Sequence, residues 1–331
     1  MSERSVREIV HSVGKRLQDL GFTGRLEYDF PLAPLTSYKL GGPAGLYLEP
    51  ESESDLDRID EVLREYPGCP LLAMGRGSNL VVSDTGFEGI VVRLGSAFRY
   101  VRFDGTRVFA GGILPLPFLA KACAERGLEG MEFAAGIPAS VGGAVAMNAG
   151  GHGSEIAEVL ESAVVHNLGT GRSLVAASEM RLGYRSSAIG PHQLVVEARF
   201  CLRPGDPALS LARIAEIVRW RREHQPGGLP NAGSIFKNPD GDSAGRLIDA
   251  AGLKGLRSGG AEVSTKHANF IVTHPGAKAE DVVRLIQEVR SRVFRKFGVL
   301  LEPEVRLVGD FGEFGRDLQP REAGSVRGRK S

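Results

Sequence analysis

GMEFAAGIPASVGGAVAMNAGGHGSE, Gly130 to Glu155, is the stretch on which the reading of this chain turns. Between Ala134 and Gly153 nearly every side chain is small. Gly136, Gly142, Gly143, Gly150, Gly151 and Gly153 have no Cβ, so the main chain there can approach a large flat or phosphorylated ligand. The competing reading is tight packing of strands around a bend. Such small residues bury little apolar area and stabilise a core poorly.

The rest of the chain sets limits. It has 331 residues, enough for two or three domains. The hydrophobic fraction is 42% and the charged fraction 24%, which excludes a wholly disordered chain. Forty-one basic against forty acidic residues leave a net charge of +1, so no global field draws nucleic acid or an acidic membrane. Glycine, at 44 residues, is the one excess. Cys69, Cys123 and Cys201 are odd in number and widely spaced. They are expected as buried inert thiols in a reducing cytoplasm. No run of eighteen apolar residues and no signal-peptide pattern occurs.

Periodicity predicts a helix and a lead-in over 1–30, then two short strands around the Gly-Gly-Pro turn in 35–50. A helix is expected over 53–66 and strands over 70–75, 89–94 and 100–112, the last turning at Asp104-Gly105. A helix near 115–126 precedes the glycine-rich stretch, and strands resume at 160–168, 172–176 and 193–202. The composition of RPGDPA marks a boundary near 203–208. Beyond it come helices over 208–222, 242–251 and 279–297 and strands over 260–264, 268–273 and 300–309. Up to residue 202 this order reads as mostly β with a few helices, without the regular alternation of a doubly wound sheet. The polar end, closing on RGRK, is expected to be a disordered tail.

Four further segments carry chemistry. GRGSNLVVSD, Gly75 to Asp84, offers several backbone N–H groups able to converge on a pyrophosphate. Leu80 stands where the nicotinamide-binding fingerprint needs its third glycine, so that fold is disfavoured. NAGSIFKNP places Ser234 ahead of Lys237 and Asn238; GYRSS carries Tyr184 and Arg185; LEPEVR carries Glu302, Glu304 and Arg306. Each alone has a plain reading: a cap for Ser234, a solvated strand surface for Glu302 and Arg306. No GxxxxGK[ST] or HExxH occurs, and the seven histidines are scattered, so P-loop chemistry and a metal site are not expected.

Taken in order and spacing, the five segments resemble the MurB family, UDP-N-acetylenolpyruvoylglucosamine reductases, over roughly residues 30–310. GRGSN resembles the GxGSN flavin loop and GIPASVGGAVAMNAGGHG the GIPGTVGGA-type flavin segment. GYRSS, NAGSIFKNP and LEPEVR resemble the three catalytic segments. The short passage from GYRSS to NAGSIFKNP is similar to the subtype without a substrate-covering loop. The resemblance implies an α+β chain with an FAD-binding PCMH/vanillyl-alcohol-oxidase-type fold of two subdomains, 1–69 and 70–204. A C-terminal α+β substrate-binding domain, 205–312, and the tail 313–331 would follow.

The implied reaction is NADPH-dependent, FAD-mediated reduction of the enolpyruvyl ether of UDP-N-acetylglucosamine enolpyruvate, in peptidoglycan synthesis. On that resemblance Arg185 steadies the substrate carboxylate, Ser234 donates a proton and Glu304 acts beside them, protonated or as a hydrogen-bonding partner. Lys237 is a candidate activator of Ser234. Tyr184, Arg222, Gln225, Lys237 and Asn238 are expected to hold the UDP-sugar. Tyr38, Gly75, Arg76, Gly77, Ser78, Asn79, Gly136, Ile137, Pro138, Ser140, Gly142, Gly143 and Asn148 are expected at the FAD. His152 departs from the aromatic residue that the family often has there. The partners implied are the UDP-sugar and NADPH, with a cytoplasmic monomer and no nucleic acid or membrane. An FAD-dependent oxidase of sugar lactones or alcohols on the same fold, and a non-catalytic nucleotide-binding module, are the alternatives.

Overall fold

A computed structural model describes residues 5–316 and 318. The chain opens with α1 (Val6–Asp19), started by a reciprocal cap between Ser5 and Glu8. It continues into β1 (Arg25–Pro31) and β2 (Pro43–Glu49), an antiparallel pair. After α2 (Glu53–Glu65) come β3 (Leu71–Ala73), β4 (Leu80–Val82) and β5 (Phe87–Val92). Strands β1, β2, β5 and β3 form one sheet in that spatial order, with β2, β5 and β3 mutually parallel. The apolar faces of α1 and α2 close over it through Val10, Val13, Leu17, Leu56, Ile59 and Val62.

A second sheet follows. β6 (Val101–Asp104) and β7 (Arg107–Gly111) form the expected hairpin, with Gly105 at φ 55° in the turn. They join the strands Gln193–Cys201, Leu160–Asn167 and Gly171–Ala176 in a five-stranded antiparallel sheet. α3 (Leu116–Glu125) and α4 (Val141–Ala146) contribute Leu116, Leu119, Val141 and Val145 to the core formed with this sheet. α5 (Pro207–His224), capped by Asp206, packs across that region. The C-terminal part sets α6 (Ala244–Ala250) and α7 (Ala279–Phe297) against strands Arg257–Ser258, Ala261–Val263 and Ile271–Thr273. α7 ends on Gly298 in the left-handed conformation.

Several expectations are corrected. β1 is a full strand where only a lead-in was expected. The stretch 35–50 holds one strand, because Lys39 and Gly41 adopt positive φ and break extension. The glycine-rich stretch contains a helix, α4, which its small residues did not signal. Strand 300–309 shrinks to Arg306–Val308; Pro303 upstream has no N–H for a ladder. The four-stranded sheet draws β1 and β2 from before residue 70 and β3 and β5 from after it, so a boundary there cuts it.

Cys69 and Cys123 are buried, and burial pushes their thiols up to about 11 and about 12, whereas Cys201 is exposed. The expected tail begins instead with α8 (Glu313–Arg316), and Leu318 is buried against the α7 core. Residues 319–331, including RGRK, lie outside the described residues. Among the described residues no helix is long and apolar enough to cross a membrane.

Candidate active site

The GYRSS segment forms a tight turn, closed by reciprocal backbone hydrogen bonds between Gly183 and Ser186 at 3.1 Å. Arg185 sits in it at φ 52°. A left-handed residue with a side chain costs about 1–2 kcal/mol, so neighbours must hold it. Asn148 Nδ2 donates to the Gly183 carbonyl (3.0 Å), Ser187 Oγ to the Ala146 carbonyl (2.8 Å) and Arg185 Nη2 to the Gly150 carbonyl (2.7 Å). All three partners lie in the glycine-rich segment. Arg185 Nε then meets Glu304 Oε1 at 3.2 Å, and its guanidinium lies over the Tyr184 ring.

Glu304 stands where three segments cross. Its N–H donates to the Ile235 carbonyl (2.7 Å), and its own carbonyl accepts from Asn79 Nδ2 (3.1 Å). Arg306 N–H donates to the Asn79 carbonyl (3.0 Å), which continues as a parallel pairing of Arg306–Val308 with β4. The Glu304 side chain is 16% exposed. Burial pushes its carboxyl above the ordinary carboxylate value, while Arg185 and Lys237 pull the other way. Ser234 precedes Ile235 and follows Gly233, which turns the chain at φ 80°. Among the described residues Ser234 Oγ makes no hydrogen bond.

Asn238 N–H donates to the Tyr184 hydroxyl (3.3 Å), which joins two of the expected substrate residues. Lys237 pairs with Glu302 at 2.7 Å. The proximity that made Lys237 an activator of Ser234 thus competes with an ion pair. Glu302 is exposed and turns to Lys237, whereas Glu304 is half-buried and turns to Arg185, so the two carboxylates do not act as one pair. Arg306 is half-buried and its pKa is lowered by burial, unlike a solvated strand residue.

A cavity of about 920 Å³ reaches the NAGSIFKNP segment at Gly233, next to Ser234, while Arg185, Ser234 and Glu304 do not line it. Lys39, Arg76, Arg93, Arg221, Arg222 and Lys266 line it, and among the described residues no carboxylate does. In a chain of net charge +1 this is a concentrated local field, suited to diphosphates. Gly136 and Pro138 of the glycine-rich segment border it, as do Arg222 and Gln225. The Arg221 side chain packs over Gly136 so closely that a Cβ there would collide with it. Gly77, at φ 61°, lets the loop pass against the Leu35 carbonyl, and its own carbonyl accepts from Ser37 N–H at 3.0 Å. The Gly75–Asn79 loop touches the glycine-rich segment: a Cβ on Gly75 would stand 2.6 Å from Ser140 Oγ. The two expected flavin segments are therefore neighbours at a cationic cavity, and the residues fit FAD.

Other expected FAD residues are spent elsewhere. Tyr38 is buried in the C-terminal core, where its hydroxyl donates to the Ile271 carbonyl (3.2 Å). Ser140 caps α4 by accepting from Gly143 N–H, and Gly143 itself has room above it apart from Ser140 Oγ. Gly142 N–H donates to the Gly112 carbonyl (2.8 Å), where a Cβ would crowd the Val195 carbonyl. Asn148 is fully buried, holding Gly183 through Nδ2 and accepting from Ala157 N–H (2.9 Å) through Oδ1. Ile137 packs on the core, and Ser78 is half-buried in its loop. His152 meets Trp220 edge-on at 5.2 Å, away from the cationic cavity, at a second one of about 550 Å³.

Sequence reasoning missed Arg221 and Arg93. Arg221 follows Ile217 by one helical turn, which places both over Gly136. Arg93 becomes visible only through the register of β5.

The chain matches two protein families: FAD binding domain over residues 44–175, and UDP-N-acetylenolpyruvoylglucosamine reductase, C-terminal domain, over residues 225–308. UDP-N-acetylenolpyruvoylglucosamine reductase of Syntrophotalea carbinolica is 44% identical over 280 residues, 84% of this chain and 93% of that protein. The second such reductase of Symbiobacterium thermophilum is 45% identical, over 86% of this chain and 93% of that protein. The crystal structure of UDP-N-acetylenolpyruvylglucosamine reductase (MurB) from Thermus caldophilus superposes with a TM-score of 0.74 at 37% identity. That match covers 86% of this chain and 100% of the other. On these matches and on the FAD-compatible cavity near the Arg185–Glu304 pair, the chain belongs to the UDP-N-acetylenolpyruvoylglucosamine reductase family.

Proposed function

We propose that this chain reduces UDP-N-acetylglucosamine enolpyruvate to UDP-N-acetylmuramate, with NADPH as reductant, in peptidoglycan precursor synthesis. The observation that carries the reading is the half-buried Arg185–Glu304 pair, set on the same crossing as Ser234, near a cavity whose charged lining among the described residues is all cationic. When bound, FAD supplies the hydride chemistry that no side chain provides. Residues 75–79 and 136–143 hold it, with Arg76 and Arg221 offering charge to its diphosphate. Residues 205–312 hold the UDP-sugar, through Tyr184 reaching across to Asn238, through Lys237, and through Arg222 and Gln225 at the cavity.

The chemistry follows from charge. Reduction of the enolpyruvyl double bond develops negative charge on the substrate carboxylate. A guanidinium fork suits it, and Arg185 spends one N–H on Glu304 and one on Gly150, leaving others for substrate. A charged Glu304 would oppose that enolate. Burial raises the Glu304 pKa and so lowers the cost of a neutral carboxyl that orients Arg185 without repelling the substrate. Ser234 then hands its hydroxyl proton to the second carbon and is reprotonated from solvent. The reaction belongs in the cytoplasm, where NADPH is available, and the chain acts as a monomer.

An anaerobic visible spectrum tests the reading. A yellow protein that bleaches with NADPH and recovers on adding the enolpyruvyl UDP-sugar is expected. Recovery with oxygen alone would favour the oxidase reading. A protein that stays colourless after incubation with FAD would remove the flavin premise.

A further inference from the structure

The C-terminal ends of three parallel strands meet at the Gly75–Asn79 loop. β2 ends at Glu49, Arg93 follows β5, and β3 runs through Met74 into Gly75. The register sets Leu48 and Ala73 on either side of Val92, so these three ends lie side by side. In open sheets this is the edge at which loops meet ligands. Arg93 stands in the middle. Its Nε donates to the Gly75 carbonyl at 3.2 Å, and its Nη1 lies 3.4 Å from Glu49 Oε2 and 3.5 Å from the Tyr47 hydroxyl. The Tyr47 hydroxyl in turn donates to Glu49. The Tyr47 ring is fully buried and stacks on Phe30 at 4.3 Å. The chain of contacts therefore runs from the rigid core to the carbonyl of Gly75, next to Arg76 at the cavity. Arg93 borders that cavity; Glu49 and Tyr47 do not.

We propose that Arg93, held by Glu49 and Tyr47, is a positioning residue that sets the Gly75–Asn79 loop for the diphosphate of the bound dinucleotide. It rests on the flavin reading of the cavity. In a trans peptide the C=O and N–H lie in one plane and point in opposite directions. Pinning the Gly75 carbonyl therefore also fixes the Arg76 N–H. Without the pin, Gly75 can turn that plane at little steric cost, since it has no Cβ. Among the described residues Arg93 differs from the other five cations of the cavity in being paired with a carboxylate. That pairing spends its charge on the loop's anchor and leaves anion binding to the loop's N–H groups and to its unpaired neighbours.

The test measures the FAD dissociation constant of the full-length apoprotein, by quenching of flavin fluorescence, alongside the melting temperature of the same apoprotein. Arg93→Met is expected to weaken FAD roughly 10- to 100-fold, as loss of a charge-assisted hydrogen bond does. Glu49→Gln and Tyr47→Phe, which leave Arg93 in place, are expected to weaken it by about 3- to 10-fold. Apoprotein melting temperatures should stay within about 2 °C of wild type, because the pin orders a loop and not a core. The Glu49→Gln arm discriminates. Were Arg93 a direct phosphate ligand, removing the neighbouring carboxylate would tighten FAD; tightening or no change overturns the proposal. Melting temperatures that fall in step with FAD affinity would also overturn it, as a general structural role. A wild-type chain that takes up no FAD overturns the flavin reading itself, a result distinct from variants that bind as wild type does.

Discussion

Asn148→Ala separates positioning from cofactor contact. The Asn148 side chain is fully buried and serves two backbone groups, the Gly183 carbonyl at 3.0 Å and the Ala157 N–H at 2.9 Å. Alanine leaves both without a partner. Each orphaned buried group costs about 1–3 kcal/mol. Asn148 also holds φ 40°, where alanine is less at ease than asparagine by up to about 1 kcal/mol. A loss near 3 kcal/mol follows, allowing for partial relaxation, which lowers the melting temperature by about 4 °C in a chain of this length. Asn148→Gly, free of the φ cost, should recover part of it. The larger effect falls on Arg185, whose turn loses its tie at Gly183. Turnover per bound flavin should drop at least tenfold, while FAD affinity changes little, because the Asn148 side chain does not border the cavity. Thermal melts, flavin titration and steady-state kinetics normalised to flavin content give the three readings. Loss of FAD with unchanged turnover per flavin would refute the reasoning and make Asn148 a direct cofactor ligand.

Three more outcomes are expected. Ser234→Ala should leave bleaching by NADPH intact but slow recovery with the enolpyruvyl substrate by about 10²–10⁴-fold, the usual worth of a positioned acid; rapid mixing reads both half-reactions, and an unchanged recovery rate rules Ser234 out as donor. Glu304 has a raised folded pKa, so the folded state binds its proton more tightly than the unfolded one. Its contribution to stability is full below the ordinary value near ~4.3 and is lost as pH rises through the raised value. Melting temperatures of wild type minus Glu304→Gln should therefore fall from pH 4 towards pH 8, and a difference independent of pH contradicts this. Arg221→Met removes a half-buried cation with no carboxylate partner among the described residues. FAD binding should weaken about tenfold or more, with a shallower salt dependence, and equal affinity at low salt would exclude Arg221 from the diphosphate site.

Local chemistry made the helices and the motifs legible in the sequence. Periodicity places α2 and α7 almost to the residue, and Asp104-Gly105 places its hairpin, because each signal lies within a few residues along the chain. The small residues of 134–153 announced a ligand-approaching backbone, yet hid α4, whose glycines have poor helix propensity and whose cap is a single serine. The order of five motifs pointed to the family because chemistry of that kind needs those residue types. Which of those residues face the cavity was a tertiary matter. Tyr38 and Asn148 carry the same functional groups whether they touch a ligand or a carbonyl, and burial alone assigns them to the fold.

The charges divide in the same way. A net charge of +1 concealed six cations on one cavity, because they come from five places along the chain and only folding gathers them. Glu302 and Glu304 look alike two residues apart, but one reaches Lys237 at the surface and the other meets Arg185 in a nearly dry crossing. By itself the sequence determined the family, the helices and the reactive residue types, all carried by short-range patterns. Only the tertiary structure decided that Arg93 reaches the Gly75 carbonyl, that Glu304 is held protonated more readily, and that Asn148 serves Arg185. Hydrogen-bond partners and desolvation depend on groups that lie far apart in the chain and close together in space.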